Sequence, residues 1–286
     1  MRWTPGGPSA DLEDDRGSSG GGGGGGGNFG RLGIGGFLLL LVLSFVFKRN
    51  FFALVGAGGG PSGPPAQTMP HTSSPEEDKL VQFVSFVLDD DQKAWTQIFA
   101  NSGKTYRHAK LVLFTDRVRS GCGFAETAMG PFYCPADEKV YIDLGFYREL
   151  RDRFGAPGEF AEAYVIAHEL GHHVQKLLGI SDQVENLQQQ NPSRANPLSV
   201  KLELQADCLA GVWGYTAKQH NILDSGDLDD GLRAAAAVGD DRIQKQATGQ
   251  VNPETWTHGS SEQRAKWFRA GFDSGDMKNC DTFNSR

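Results

Sequence analysis

His168-Glu169-Leu170-Gly171-His172 lies inside Gly158–Leu178, which reads GEFAEAYVIAHELGHHVQKLL. Phe160, Tyr164, Ala167, Leu170, Val174 and Leu177 or Leu178 recur there at helical spacing. Glu159 and Glu162 suit the start of a helix and Lys176 its end. Gly179 stands where a left-handed terminating residue is expected. The segment therefore predicts one amphipathic helix. Four residues turn a helix by about 400°, so His168 and His172 stack on one face. Two imidazoles so placed can share a tetrahedral zinc, with Glu169 beside them to hold the attacking water. The bland alternative is a His/Glu face of a structural helix.

A hydrolytic zinc takes a third protein ligand. The next helix is expected to open at Asn196-Pro197, an N-cap followed by proline at the first helical position. It continues LSVKLELQADCLAGVWGYTAKQ and carries Glu203 and Asp207. Glu203 is the expected third ligand, giving a His₂Glu set with one position open. Asp207, one turn on, is placed to accept the other ring N–H of a zinc histidine, fixing its tautomer. Ala206, Ala210 and Gly211 would let this helix approach the first closely. The alternative for the two carboxylates is a solvated helix face.

His173 and His258 compete for the third position. His173 is about 100° round the helix from His172 and is expected to pack or face solvent. His258 precedes Gly259-Ser260-Ser261-Glu262-Gln263-Arg264. Ser260 and Gln263 match a capping box opening a final helix, SEQRAKWFRAGF. From that loop His258 is a candidate donor to the oxyanion of a tetrahedral intermediate. Arg264 is a candidate to buttress the site or hold a ligand carboxylate. A helix cap with surface charge explains both residues equally well. His108 and His220 have no partner pattern.

The chain of 286 residues carries 28 Lys and Arg against 35 Asp and Glu, a net charge of -7. Residues 1–75 hold 20 of the 38 glycines and are close to neutral, so the acidity lies in the remainder. An acidic body argues against a nucleic-acid backbone as the main partner, a local basic patch being the alternative. Residues 1–28 are polar, with Pro5, Pro8 and the run Gly20–Gly27, and are expected to be disordered, a docking tail being the alternative.

Leu32–Phe47 reads LGIGGFLLLLVLSFVF, sixteen residues without a charge. As a helix it spans about 24 Å, against a hydrocarbon core of ~30 Å. Phe29 and Phe51–Val55 extend the apolar zone. Residues 29–55 are therefore expected to form one transmembrane anchor. A buried core helix and a cleaved signal peptide are the rivals, but a signal peptide begins nearer the N-terminus. Arg31 on one side and Lys48 and Arg49 on the other give no firm orientation, slightly favouring a cytoplasmic C-side. Residues 56–75 read as a Gly/Pro/Ser linker, leaving 76–286 as the folded domain.

Cys122, Cys134, Cys208 and Cys280 all follow the apolar run. An even count suits two disulfides, with three pairings open, and hence an extracytoplasmic domain. Free buried thiols are the alternative. No CxxC occurs, so a zinc ribbon is not indicated. Lys139–Leu144 alternates and reads as a strand, expected at a sheet edge beside the zinc helix, where it would hold an extended peptide substrate.

Taken together, Cys122–Ala125 (CGFA), Gly130–Pro135 (GPFYCP), Val140–Leu144 (VYIDL), Arg153–Gly158 (RFGAPG), His168–Gln175 (HELGHHVQ), Glu203–Ala210 (ELQADCLA) and His258–Arg264 (HGSSEQR) resemble the neutral zinc metallopeptidases of bacteria. The resemblance covers about 76–286; the Gly-rich head is outside it. It implies a membrane segment, a linker and then a zinc domain, with one Zn²⁺ per chain and peptidase activity. The HExxH…ExxxD arrangement is also similar to the wider gluzincin group. That likeness implies zinc ligation by His168, His172 and Glu203, with Asp207 hydrogen-bonded to a zinc histidine. The region around His258 resembles more loosely the His-Pro…Arg segment of some membrane metallopeptidases, with Gly259 in the proline's place.

The expectation is thus an α+β, helix-rich, zincin-like domain with a small sheet from about 105–145, preceded by one transmembrane helix. Its function is expected to be peptide-bond hydrolysis with Glu169 as general base. The alternatives are a membrane-anchored, zinc-stabilised binding or quality-control module and a cell-wall peptide amidase.

Overall fold

The computed structural model describes residues 1–17 and 73–284. Helix α1 (Pro75–Asn101) opens on a capping box: the Ser74 hydroxyl accepts from the Glu77 amide, and the Glu77 carboxylate accepts from the Ser74 amide. Glu76, Glu77 and Asp78 sit in its first turn, where the helix dipole favours negative charge. Its apolar face (Phe83, Val84, Val87, Leu88, Trp95 and Phe99) is buried.

Strands β1 (Leu12–Asp14), β2 (Lys110–Phe114), β5 (Phe132–Cys134) and β6 (Lys139–Asp143) form a four-stranded sheet in the order β1-β2-β6-β5. β1, β2 and β6 run parallel; β5 is antiparallel to β6. Strands β3 (Arg117–Ser120) and β4 (Gly123–Glu126) make a separate hairpin. Two expectations are corrected here. Residues 1–28 were expected to be disordered, yet residues 1–17 pack on the domain and supply an edge strand. The polar composition hid this, because Met1, Trp3 and Leu12 find apolar partners only in the tertiary fold. Lys139–Asp143 is a strand as expected, but an inner one between β2 and β5, and three of its residues (Val140, Tyr141 and Ile142) are buried apolar side chains. The edge is β5.

The second half is helical: α2 (Gly145–Asp152), α3 (Glu159–Leu177), α4 (Ile180–Gln190), α5 (Ala195–Gln219), α6 (Asp227–Ala237), α7 (Asp240–Thr248) and α8 (Ser261–Ser274). α3 matches the expected helix and ends at Gly179, whose φ of 74° is left-handed. α5 begins one residue before Asn196, because a 3-10 turn at Pro192–Arg194 leads straight into it. Asn196 is therefore not the N-cap and donates instead to the Glu254 carbonyl at 3.2 Å. Pro197 falls in the first turn, where its missing N–H costs nothing. α8 opens on the expected Ser260–Gln263 capping box.

Close packing depends on glycine. A Cβ at Gly171, between the two histidines, would lie 3.0 Å from the Ala206 carbonyl oxygen, so α3 and α5 approach at backbone distance there. A Cβ at Gly271 would fall 1.9 Å from the Cys208 carbonyl oxygen, and one at Gly211 would fall 2.1 Å from that of Phe268. Ala206 thus serves the expected contact with α3, whereas Gly211 serves the contact with α8. Disulfides join Cys122 to Cys134 and Cys208 to Cys280, the second tying the C-terminal turn to α5.

The anchor expected at 29–55, residues 56–72 of the linker expected at 56–75, and the run Gly20–Gly27 lie outside the described residues; the end of that linker is Ser74, the N-cap, and Pro75, the first residue of α1. No helix among the described residues is long and apolar enough to cross a membrane.

Candidate metal centre

α3 presents His168, Glu169 and His172 to α5, which presents Glu203 and Asp207. His168 Nε2 lies 3.2 Å from Glu203 Oε2, and His172 Nε2 lies 3.4 Å from Glu203 Oε1. A ligand atom from each of the three falls within 4.8 Å of the others. Neighbouring ligands on a tetrahedral zinc with bonds near 2.0–2.1 Å stand about 3.3 Å apart. Each contact has about that length, although the two end on different Glu203 oxygens, and two imidazoles and a carboxylate gathered within 4.8 Å are a donor set that fits a zinc ion. Both histidines point Nε2 inward because their Nδ1 atoms are engaged elsewhere.

His168 Nδ1 donates to Asp207 Oδ1 at 2.9 Å. Asp207 is fully buried and accepts four hydrogen bonds. Tyr164 donates its hydroxyl to Oδ1, and Arg264 grips both oxygens, at 2.8 Å from Nε and 2.9 Å from a terminal nitrogen. Such a two-pronged pair fixes the carboxylate in position as well as in charge. Burial works against the Asp207 charge, but Arg264 and His168 outweigh it and hold the carboxyl below its usual range. Burial likewise opposes charge on His168, yet Asp207 and Glu203 raise its pKa to about 9. Arg264 is 3 % exposed and also donates to the Val238 carbonyl at 3.2 Å. Of its two expected roles it takes the buttress, since its charge is spent on Asp207.

Gln175 does for His172 what Asp207 does for His168. Its Oε1 accepts from His172 Nδ1 at 2.9 Å, and its amide donates to the Leu202 carbonyl at 2.7 Å and to Gln205 Oε1 at 3.1 Å. Gln175 was missed as a site residue. Its signal was its position three residues after His172, on the same helical face.

Glu169 is buried beside the three ligands. Burial raises its pKa, and the charges of His168 and His172 pull it back in part. Burial would raise Glu203 too, but the two histidines and then His258 drive it well down. His258 is therefore within electrostatic reach of Glu203, although it is not one of the clustered ligands. Its Nδ1 sits 3.2 Å from Asp240 Oδ1, while Asp240 Oδ2 accepts backbone N–H groups from Thr257, His258 and Gly259. Burial works against a charge on His258, yet Asp240 and Glu203 raise its pKa. Asp240, the residue that shapes this loop, carried no recognisable sequence signal.

His173 is excluded from the site. It is fully buried, its Nε2 donates to the Arg107 carbonyl at 2.6 Å, and its Nδ1 accepts from the Tyr133 hydroxyl at 3.0 Å. The contact ties α3 to β5. The four cysteines are paired in the two disulfides, and none belongs to the ligand cluster. A cavity of about 570 Å³ lies between α5 and α8 beside Val200, Leu204 and Trp267 and includes none of the ligands.

A family model described as "Putative neutral zinc metallopeptidase" matches residues 1–283, and the chain belongs to that family. The match includes the glycine-rich head. An uncharacterized protein of Escherichia coli K12, YpfJ, is 49% identical over 288 aligned positions, covering 99% of both chains. An uncharacterized protein of Mycobacterium tuberculosis H37Rv, Rv2575, is 50% identical over 191 positions, covering 63% of this chain and 64% of its own. No solved structure matches.

Proposed function

We propose that the chain is a zinc-dependent peptidase that hydrolyses peptide bonds in peptide or protein substrates, with Glu169 as general base. The observation that carries this reading is the pair of Nε2 contacts to Glu203, 3.2 and 3.4 Å, with Glu169 buried beside them. One zinc held by His168, His172 and Glu203 would polarise the scissile carbonyl and lower the pKa of water at the open position towards ~7. Glu169 takes the proton of the attacking water and returns it to the leaving amine. Its burial supports both halves, because a carboxyl with raised pKa accepts a proton more readily and holds it until transfer. Asp207 and Gln175 keep both histidines in the tautomer that ligates through Nε2.

His258 donates to the oxyanion. With Nδ1–H directed at Asp240, Nε2 carries a proton only in the imidazolium form, which the raised pKa favours. The extended substrate pairs with the outer edge of β5, which α3 contacts through the Tyr133–His173 bond. The two disulfides support a domain outside the cytoplasm.

The test is cleavage of an unfolded protein by the purified, zinc-loaded full chain, read by mass spectrometry beside Glu169→Gln. The variant is expected to keep its zinc and cleave at least about a hundredfold more slowly. Equal cleavage by both chains overturns the mechanism. Cleavage of cell-wall peptides but not of unfolded protein moves the assignment to an amidase.

A further inference from the structure

The orientation of His172 is traceable through buried groups that touch no ligand. Gln175 Oε1 accepts from His172 Nδ1 at 2.9 Å. The amide nitrogen of Gln175 donates to the Leu202 carbonyl at 2.7 Å and to Gln205 Oε1 at 3.1 Å. Gln205 in turn donates to the Cys280 carbonyl at 2.9 Å. Gln175, Gln205 and Cys280 are all buried, so bulk water does not replace a lost partner.

A backbone carbonyl only accepts. Facing the Cys280 carbonyl, Gln205 presents its amino group, and its oxygen is left to face Gln175. Facing that oxygen and the Leu202 carbonyl, Gln175 presents both of its N–H groups, and its own oxygen is left for His172. On one acceptor the Gln175 amide could pivot; on two its plane is set. His172 Nδ1 then carries the proton, and Nε2 keeps its lone pair for a metal.

The last acceptor in this chain is itself held. Cys280 closes the 3-10 turn Met277–Cys280 and is joined to Cys208 by a disulfide. Just past it, the Thr282 hydroxyl donates to the Lys201 carbonyl at 2.6 Å, and Lys201 Nζ donates to the Phe283 carbonyl at 3.0 Å. Lys201, Gln205 and Cys208 share one face of α5, the helix that also carries Glu203. The turn is thus strapped to the helix that supplies the third ligand.

We infer that Gln205 is a positioning residue of the metal centre, and that the Cys208–Cys280 disulfide, by fixing the carbonyl that Gln205 faces, helps set how firmly His172 binds zinc. Neither group touches a metal; each acts on His172 through Gln175. The Cys122–Cys134 disulfide joins the β3–β4 turn to β5 and takes no part in this chain. The inference rests on the His168–His172–Glu203 centre but not on peptide hydrolysis.

Zinc affinity of the purified full chain, read by competition with a chromogenic chelator, tests it. Gln205→Met keeps the length of the side chain and removes both polar contacts. Affinity is expected to fall about three- to tenfold, at or below the low end of the loss for a residue that touches a ligand directly. The paired Cys208→Ala and Cys280→Ala variant is expected to fall in the same range. The paired Cys122→Ala and Cys134→Ala variant is expected to keep the wild-type affinity, although it too loses a cross-link. Histidine ring-¹⁵N spectra of the zinc-loaded chain add a readout that stability alone does not move. The His172 Nδ1–H signal is expected to be sharp in the wild type and broadened by exchange in Gln205→Met. Wild-type affinity in Gln205→Met overturns the positioning role, and equal affinities in the two disulfide variants overturn the role of Cys280. A wild-type spectrum with the His172 proton on Nε2 overturns the inference without any variant. A wild-type chain that takes up no zinc overturns the metal centre itself, which tells that failure from these.

Discussion

Asp207 Oδ1 accepts a hydrogen bond from His168 Nδ1 at 2.9 Å, between residues 39 positions apart on two different helices. The contact joins the metal centre to a fully buried carboxylate whose charge is balanced by Arg264. Metal affinity and fold stability therefore share one residue, and each can be disturbed through it.

Asp207→Asn is expected to do both. Loss of the carboxylate behind His168 should weaken zinc binding about 10–100-fold. It also leaves Arg264 buried without its counter-charge, at a cost of about 3–5 kcal/mol. Competition with a chromogenic chelator reads the first effect and urea unfolding the second. An unchanged zinc affinity would show that Asp207 supports only the packing.

Gln175→Leu separates the two effects, since Gln175 carries no charge. Zinc affinity is expected to fall about tenfold, because His172 loses the acceptor that orients it. Retention of wild-type affinity under the same competition would place the orientation of His172 elsewhere.

The two disulfides should differ in worth. Cys208 and Cys280 are separated by 72 positions and Cys122 and Cys134 by 12. Loop-closure entropy assigns about 4 kcal/mol to the longer and about 3 kcal/mol to the shorter. Paired Cys→Ala variants compared by denaturant unfolding check the order, and a larger loss from the shorter loop would contradict it.

Glu162, on α3, gives the stability a pH dependence. Burial first, and then Glu159, raise its pKa from 4.5 to about 7. Between those values the folded chain holds a proton that the unfolded chain has lost, so this contribution to stability falls as pH rises. Glu162→Gln removes the dependence. The variant is expected to exceed the wild type by about 1–3 kcal/mol at pH 8 and to match it near pH 4.5. A gain that is the same at both pH values would assign the effect to something other than titration.

Much of the centre was legible because its parts are local. His168 and His172 are one helical turn apart, as are Glu203 and Asp207, and the Ser260–Gln263 capping box fixes the start of α8 within four residues. What escaped depends on contacts distant in the chain. β1 reads as polar filler until Lys110–Phe114 offers it a ladder about 100 positions later. Lys139–Asp143 shows its alternation but not its neighbours, so its place between β2 and β5 was invisible. Asp240 meets His258 from a separate helix start, and no spacing announces the pair. Gln175 is the exception: its register was readable, but glutamine on a helix face is too common to single out.

The most direct test of the account is the metal content of the purified full chain, measured by mass spectrometry beside Glu203→Ala. The His168–His172–Glu203 centre predicts close to one zinc per wild-type chain and its loss from the variant. Zinc held equally by both chains, or a wild-type chain that takes up none when supplied with it, would contradict that centre.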